Sequence, residues 1–189
     1  VMYHYVRKIK DSLYPNIKGL ELEGFRRQLD YINKEFNIIT RDDLLAFIKD
    51  KQKLPKNPCW LTFDDGYKDH IEFVLPELKK RKLQASFFPP AGPIIDKKLL
   101  DVNAIHFILA SCSNYADLVK DLKEKCDQHN INDNQWQTLW DTNAIASKYD
   151  SKEVVFIKIM LQRELPFDVR QVITHELFQK HMGVNGTKF

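Results

Sequence analysis

The feature that most restricts how this chain folds is an alternation that runs through roughly its first ninety residues. Short apolar or β-branched runs, each the length of a strand, are separated by stretches whose apolar positions recur every three or four residues. "VMYHYV" at the start has the composition of a strand, and Leu22, Phe25, Leu29, Ile32 and Phe36 follow it at helical spacing. "FNIIT" is a second strand, after which Thr40 with Asp43 three residues on makes a capping-box start for a helix carrying Leu44, Leu45 and Ile48. Pro55 and Pro58 mark a loop, "CWLTF" reads as a third strand, and Ile71, Val74, Leu75 and Leu78 belong to the helix behind it, with Pro76 in its first turn. "QASFFPP" is a fourth strand. The connections are too long for hairpins, so the strands are expected to be parallel and the architecture α/β, either a barrel or a doubly wound sheet. In both, function gathers at the carboxyl ends of the strands, where His4, Asp64 and Asp65 stand.

After "PPAGP" the texture changes. From about Asp96 to Met182 the periods are helical only: Tyr115, Leu118, Val119, Leu122 and Cys126 form one stripe, and Val169, Val172, Ile173 and Leu177 form another after Pro166. The expectation is a mainly helical insertion over 96–182, with 183–189 beginning a return to the sheet. Four parallel strands do not close a barrel and leave an open edge, so either residues beyond Phe189 or a partner is expected to cover it.

The bulk properties exclude several classes. A chain of 189 residues with 43% hydrophobic and 29% charged side chains suits one sizeable globular domain or part of a larger one, not a disordered or fibrous protein. The net charge is +3 and the basic residues are scattered, which does not suit a nucleic-acid partner. The run Lys79 to Lys82 complements the negative end of a helix. No apolar stretch reaches the length of a membrane span, and the apolar part of the amino terminus is too short for a signal peptide, so a cytoplasmic location is expected over export. Three cysteines, Cys59, Cys112 and Cys126, without CxxC spacing argue against a structural zinc knot and favour a reducing compartment.

The chemistry centres on "CWLTFDDGYKDH", Cys59 to His70, where two adjacent carboxylates and a glycine follow a strand. Neighbouring anions repel and raise each other's pKa unless a cation, a hydrogen-bond donor or solvent compensates. A solvated Asp-Gly turn is the plain alternative to a catalytic pair. "LTFDDGY" resembles the first signature motif of the polysaccharide deacetylases, the NodB-homology or carbohydrate esterase family 4 proteins. "MYHYV", "LEGFRRQLDYI", "LPELKKRKL" and "ASFFPPAGP" follow in the order of that family's amino-terminal half, so the resemblance covers residues 1–95.

That resemblance implies a distorted (β/α)7 barrel, incomplete in this chain, and one divalent metal, usually zinc. By position it makes Asp65 the metal ligand and Asp64 the general base. The division is chemically sound, since a cation on one carboxylate relieves its repulsion of the other. The implied function is metal-dependent removal of acetyl groups, N-acetyl ahead of O-acetyl, from a sugar of a surface polysaccharide or its precursor. The alternative is a metal-free pseudoenzyme of the same fold that binds a glycan or a protein.

The family's H-x-x-x-H ligand pair is not found among His4, His70, His106, His129, His175 and His181, so the remaining ligands are not in this chain. His175 and His181 are six apart, about 240° around a helix, and "HELFQ" lacks the second histidine of a zincin motif. His4 is read either as filling the barrel mouth or as contacting substrate or orienting Asp64, and Tyr67 as lining a sugar site or capping the loop. His70 is given no role. Trp136 and Trp140, four apart, suit a core stripe more than a sugar-stacking face.

Overall fold

A computed structural model of the protein describes residues 1–183 and divides the chain into two compact units, Val1–Ala91 and Gly92–Phe189. The first unit mixes strands and helices in the order β1 (Met2–Tyr3), β2 (Val6–Arg7), β3 (Leu20–Glu21), α1 (Leu22–Glu35), β4 (Asn37–Ile38), α2 (Arg41–Asp50), β5 (Pro58–Cys59), β6 (Thr62–Asp64), α3 (Leu75–Arg81) and β7 (Ser86–Phe88). A π-helical turn, His70–Val74, leads into α3. Every strand pairing is parallel: β1, β6 and β7 form one sheet with β6 in the middle, β2 pairs with β3, and β4 pairs with β5.

The sheets are small and, among the described residues, do not close. Two of the runs read as single strands, "VMYHYV" and "CWLTF", are each shared between two sheets. In "CWLTF" the Cys59 carbonyl accepts from the N–H of Ile39 at 2.9 Å, whereas the Leu61 carbonyl accepts from that of Ser86 at 3.0 Å. The run changes partner within two residues. In "VMYHYV" the ladder breaks at His4, whose carbonyl accepts from a histidine side chain instead of a neighbouring strand.

The core of this unit is an aromatic row across the three-stranded sheet. Tyr3 lies opposite Phe63 and Phe63 opposite Phe87, with stacked rings 5.1 and 5.0 Å apart. Phe25 of α1 meets Tyr3 edge-on at 5.2 Å. Helix α1 lays Leu22, Phe25, Leu29 and Ile32 onto this row, following its sequence period, while Phe36 lies beyond its end. Buried Glu77 of α3 accepts from Arg26 Nε of α1 at 2.7 Å and from Arg81 Nη1 at 2.5 Å. Burial alone raises its pKa, and the two guanidinium groups outweigh burial and hold the carboxyl below its ordinary value. Thr40 and Asp43 form the expected capping box at the start of α2, yet α2 buries none of its side chains.

From Ala91 the described elements are helices: α4 (Ala91–Asp96), α5 (Asp101–Ser111), α6 (Tyr115–Gln128), α7 (Asp133–Asn143), α8 (Lys152–Ile159) and α9 (Phe167–Met182), with a π-helical turn at Met160–Glu164. Leu118, Leu122 and Cys126 of α6, Phe156 and Ile157 of α8, and Ile173, Leu177 and Phe178 of α9 are buried. Trp136 and Trp140 of α7 both pack edge-on against Phe156, at 5.0 and 4.7 Å, with Lys123 and Lys152 over their rings. The expected return to the sheet falls, apart from Gly183, outside the described residues.

Candidate active site

Alternation along β6 separates core from site. Phe63 is fully buried in the aromatic row, and its neighbours Thr62 and Asp64 point to the other face, half-buried. Asp64 pairs in register with Phe88 of β7, and one step beyond the Tyr3–Phe63 pair brings His4 alongside it. His4 Nε2 lies 3.9 Å from Asp64 Oδ2, with side-chain exposures of 44% and 29%. The two residues therefore share a wet rim at the carboxyl ends of β1 and β6.

The chain leaves β6 through two left-handed residues, Asp65 at φ +70° and Gly66 at φ +66°. Aspartate tolerates this region better than most side chains, and glycine enters it freely. The turn folds Tyr67 back so that its hydroxyl donates to Asp65 Oδ2 at 2.7 Å. One face of the Tyr67 ring stacks on Tyr5, with centroids 4.2 Å apart, and His70 meets it edge-on at 5.6 Å.

Three contacts then dock 67–70 onto 4–7. Tyr67 stacks on Tyr5, Arg7 Nε donates to Asp69 Oδ2 at 2.6 Å, and His70 Nε2 lies 2.9 Å from the His4 carbonyl. A carbonyl only accepts, so Nε2 of His70 carries the hydrogen. Burial lowers the pKa of His70 and keeps it neutral, and it raises that of Asp69 against the pull of Arg7. Burial pushes the Tyr5 phenol up to about 12. It also raises Tyr67, helped by hydrogen bonding with Tyr5 and Asp65. Both phenols stay protonated at neutral pH.

All four residues singled out from the sequence, His4, Asp64, Asp65 and Tyr67, thus lie in the first unit at or next to this strand end. His70, Arg7 and Asp69 were not singled out. The available signals were Arg7 directly after the apolar end of the first strand run, and the "DH" pair at 69–70 just ahead of the apolar positions of the next helix. His175 and His181 lie in the second unit, where His181 Nε2 is 3.0 Å from Asp121 Oδ2. There His175 lines a cavity of about 690 Å³ with Lys98, Asp101 and Thr174. That cavity includes none of the strand-end residues.

A divalent cation takes carboxylate oxygens and neutral imidazoles. Asp64 and Asp65 are donors of this kind, whereas His70 spends Nε2 on the His4 carbonyl. Among the described residues no three His, Cys, Asp or Glu side chains gather closely enough to hold an ion. The two carboxylates fit such an ion in kind and are fewer donors than it takes.

Residues 51–132 match the family model described as polysaccharide deacetylase. No curated protein matches the chain. Two solved structures are similar to about half of it. A de-N-acetylase from Aggregatibacter actinomycetemcomitans is 21% identical over 47% of this chain and 36% of its own, with a TM-score of 0.40. The Streptococcus pyogenes deacetylase PplD, solved with acetate, is 20% identical over 49% of this chain and 42% of its own, also with a TM-score of 0.40. The matched part of the chain thus spans 36% and 42% of their lengths. Asp64 and Asp65 lie inside the matched segment, so the stretch of this chain that is similar to the polysaccharide deacetylase family, residues 51–132, includes the strand-end carboxylates.

Proposed function

We propose that the strand-end site serves hydrolytic removal of an acetyl group from an acetylated sugar, N-acetyl ahead of O-acetyl, of a surface polysaccharide or its precursor. The observation that carries this reading is the placement of adjacent carboxylates at the carboxyl end of the middle strand of a parallel sheet, with His4 beside the first of them. Parallel α/β folds build their sites at such ends. On the same reading, residues 1–95 are the amino-terminal part of a distorted (β/α)7 barrel and 96–182 a helical insertion. The all-parallel pairing and the exposed Phe87 and Phe88 on the edge strand support this.

Asp65 is the residue that would hold a divalent metal, with zinc first among the candidates and the rest of the shell supplied by donors outside the described residues. When bound, such an ion polarises the acetyl carbonyl and makes water acidic enough to attack near neutral pH. Asp64 takes a proton from the attacking water as oxygen bonds to the carbonyl carbon. Collapse breaks the carbon–nitrogen bond, acetate leaves, and the departing nitrogen needs a proton. On this reading His4, 3.9 Å from Asp64, contacts the substrate or orients Asp64 and is the side chain tested as the source of that proton.

The test is metal content and deacetylation of acetylated glucosamine oligomers by the full chain and two variants. Asp65→Ala should lose metal and activity together. Asp64→Asn should keep metal and lose about a hundredfold to ten-thousandfold in turnover. Full activity in either variant would return the two aspartates to an ordinary turn, and glycan binding by a parent chain without deacetylase activity would replace this reading with that of a binding module.

A further inference from the structure

The proposed roles make Asp65 depend on the direction in which its carboxylate points, and the structure shows what sets that direction. Asp65 sits in a left-handed turn directly after β6, outside the strand pairing that fixes Asp64. Its Oδ2 accepts the Tyr67 hydroxyl at 2.7 Å, two residues along. Tyr67 in turn is held from both sides, by the Tyr5 ring at 4.2 Å and by the edge of the His70 ring at 5.6 Å. His70 is itself tied to the His4 carbonyl, and the turn is closed from beyond by Pro89, which a side chain on Gly66 would strike.

We propose that Tyr67 is a positioning residue. Its hydroxyl occupies Oδ2 of Asp65, fixes the plane of the carboxylate and presents Oδ1 as the oxygen that meets a cation. The Tyr5–Tyr67 stack is the rigid base of this arrangement. The hydroxyl is suited to the work because a phenol that stays protonated donates to a carboxylate through one short, directional bond. Groups that orient a metal-binding carboxylate in this way typically change metal affinity about tenfold to a hundredfold when removed. This inference rests on the reading of Asp65 as a ligand, and it extends that reading to a residue whose side chain touches neither substrate nor ion.

The experiment measures Zn²⁺ binding to the full chain, to Tyr67→Phe and to Asp65→Ala by titration calorimetry, and the melting temperature of each without metal. Tyr67→Phe keeps the ring on Tyr5 and removes only the hydroxyl. The expected result is Zn²⁺ affinity lower by about tenfold to a hundredfold in Tyr67→Phe, a metal-free melting temperature within about 2 °C of the parent, and no binding at this site in Asp65→Ala. Parent-like affinity in Tyr67→Phe, with binding lost in Asp65→Ala, would overturn the positioning role and leave the ligand reading intact. Unchanged binding in Asp65→Ala would overturn the ligand reading itself. If Tyr67→Phe does not fold, or the parent takes up no Zn²⁺, the Tyr67 hydroxyl proton in the parent decides. A slowly exchanging resonance that speeds up in Asp65→Asn supports the bond, and exchange at the rate of a free phenol overturns it.

Discussion

His4 Nε2 stands 3.9 Å from Asp64 Oδ2 because parallel register carries one step beyond the Tyr3–Phe63 pair, so a residue outside the strand meets the last residue of its neighbour. The separation is too long for a direct hydrogen bond. If His4 returns a proton to the leaving nitrogen, His4→Ala lowers kcat by about a hundredfold or more with little change in KM. Added imidazole restores part of the rate. A variant of full activity would limit His4 to filling the rim.

Arg7 and Asp69 form a largely enclosed ion pair where residues 67–70 pack onto 4–7, with side-chain exposures of 16% and 11% and an N–O distance of 2.6 Å. Removing one partner strands the other charge in a poorly solvated place. Arg7→Met is expected to cost about 3 kcal/mol of stability in that unit, and Arg7→Met combined with Asp69→Leu about 1 kcal/mol, because the double change leaves no orphaned charge. Urea unfolding followed by amide exchange at Phe63 reads the first unit directly. Equal losses in the single and double variants would show that the pair acts through shape alone.

Gly66 carries two constraints at once. Its φ is +66°, and an added Cβ would stand 2.7 Å from Cβ of Pro89. Gly66→Ala therefore costs about 1–3 kcal/mol, combining left-handed strain with a contact against a stiff proline. Since the same turn sets the direction of Asp65, activity is expected to fall further than stability does. Parent-like activity with the expected loss of stability would separate the turn from the site.

What the sequence disclosed, it disclosed through local rules. The period of Leu22, Phe25, Leu29 and Ile32 located α1 and its buried face, and Thr40 with Asp43 located the cap of α2. Asp64 and Asp65 stood out because two anions at a strand end need a reason. The breaks in the strands were not legible, since they depend on which partner each carbonyl meets, as Cys59 with Ile39 and Leu61 with Ser86 show. The same holds for β3 at Leu20–Glu21, whose pairing with β2 spans a long connection that no local pattern marks. His70 was passed over because a histidine opening a helix is ordinary, and only the fold brings its ring to the carbonyl of His4, sixty-six residues earlier.

That placement of His70 makes the first unit sensitive to pH. The ring is buried, meets Phe63, Tyr67 and Phe87, and has Asp69, Asp65 and His4 as charged or titratable neighbours. Burial is the largest influence and depresses its pKa below the ordinary value of about 6.5. Above that value the ring is neutral in both folded and unfolded chains, and its contribution to stability is intact. As pH falls, the unfolded chain takes the proton first, so stability declines until the pH has passed through the depressed folded value. Asp69 has the opposite sign, because burial raises its pKa and the folded chain holds that proton more readily, in a window nearer the acid range. His70→Gln keeps an N–H donor for the His4 carbonyl and removes the titration. Between about pH 7 and pH 5 the parent is expected to lose stability, read as urea midpoints of Phe63 amide protection, while His70→Gln stays nearly flat. Superimposed curves would mean that the imidazole is protonated where it sits, and that its bond to the His4 carbonyl holds in either charge state.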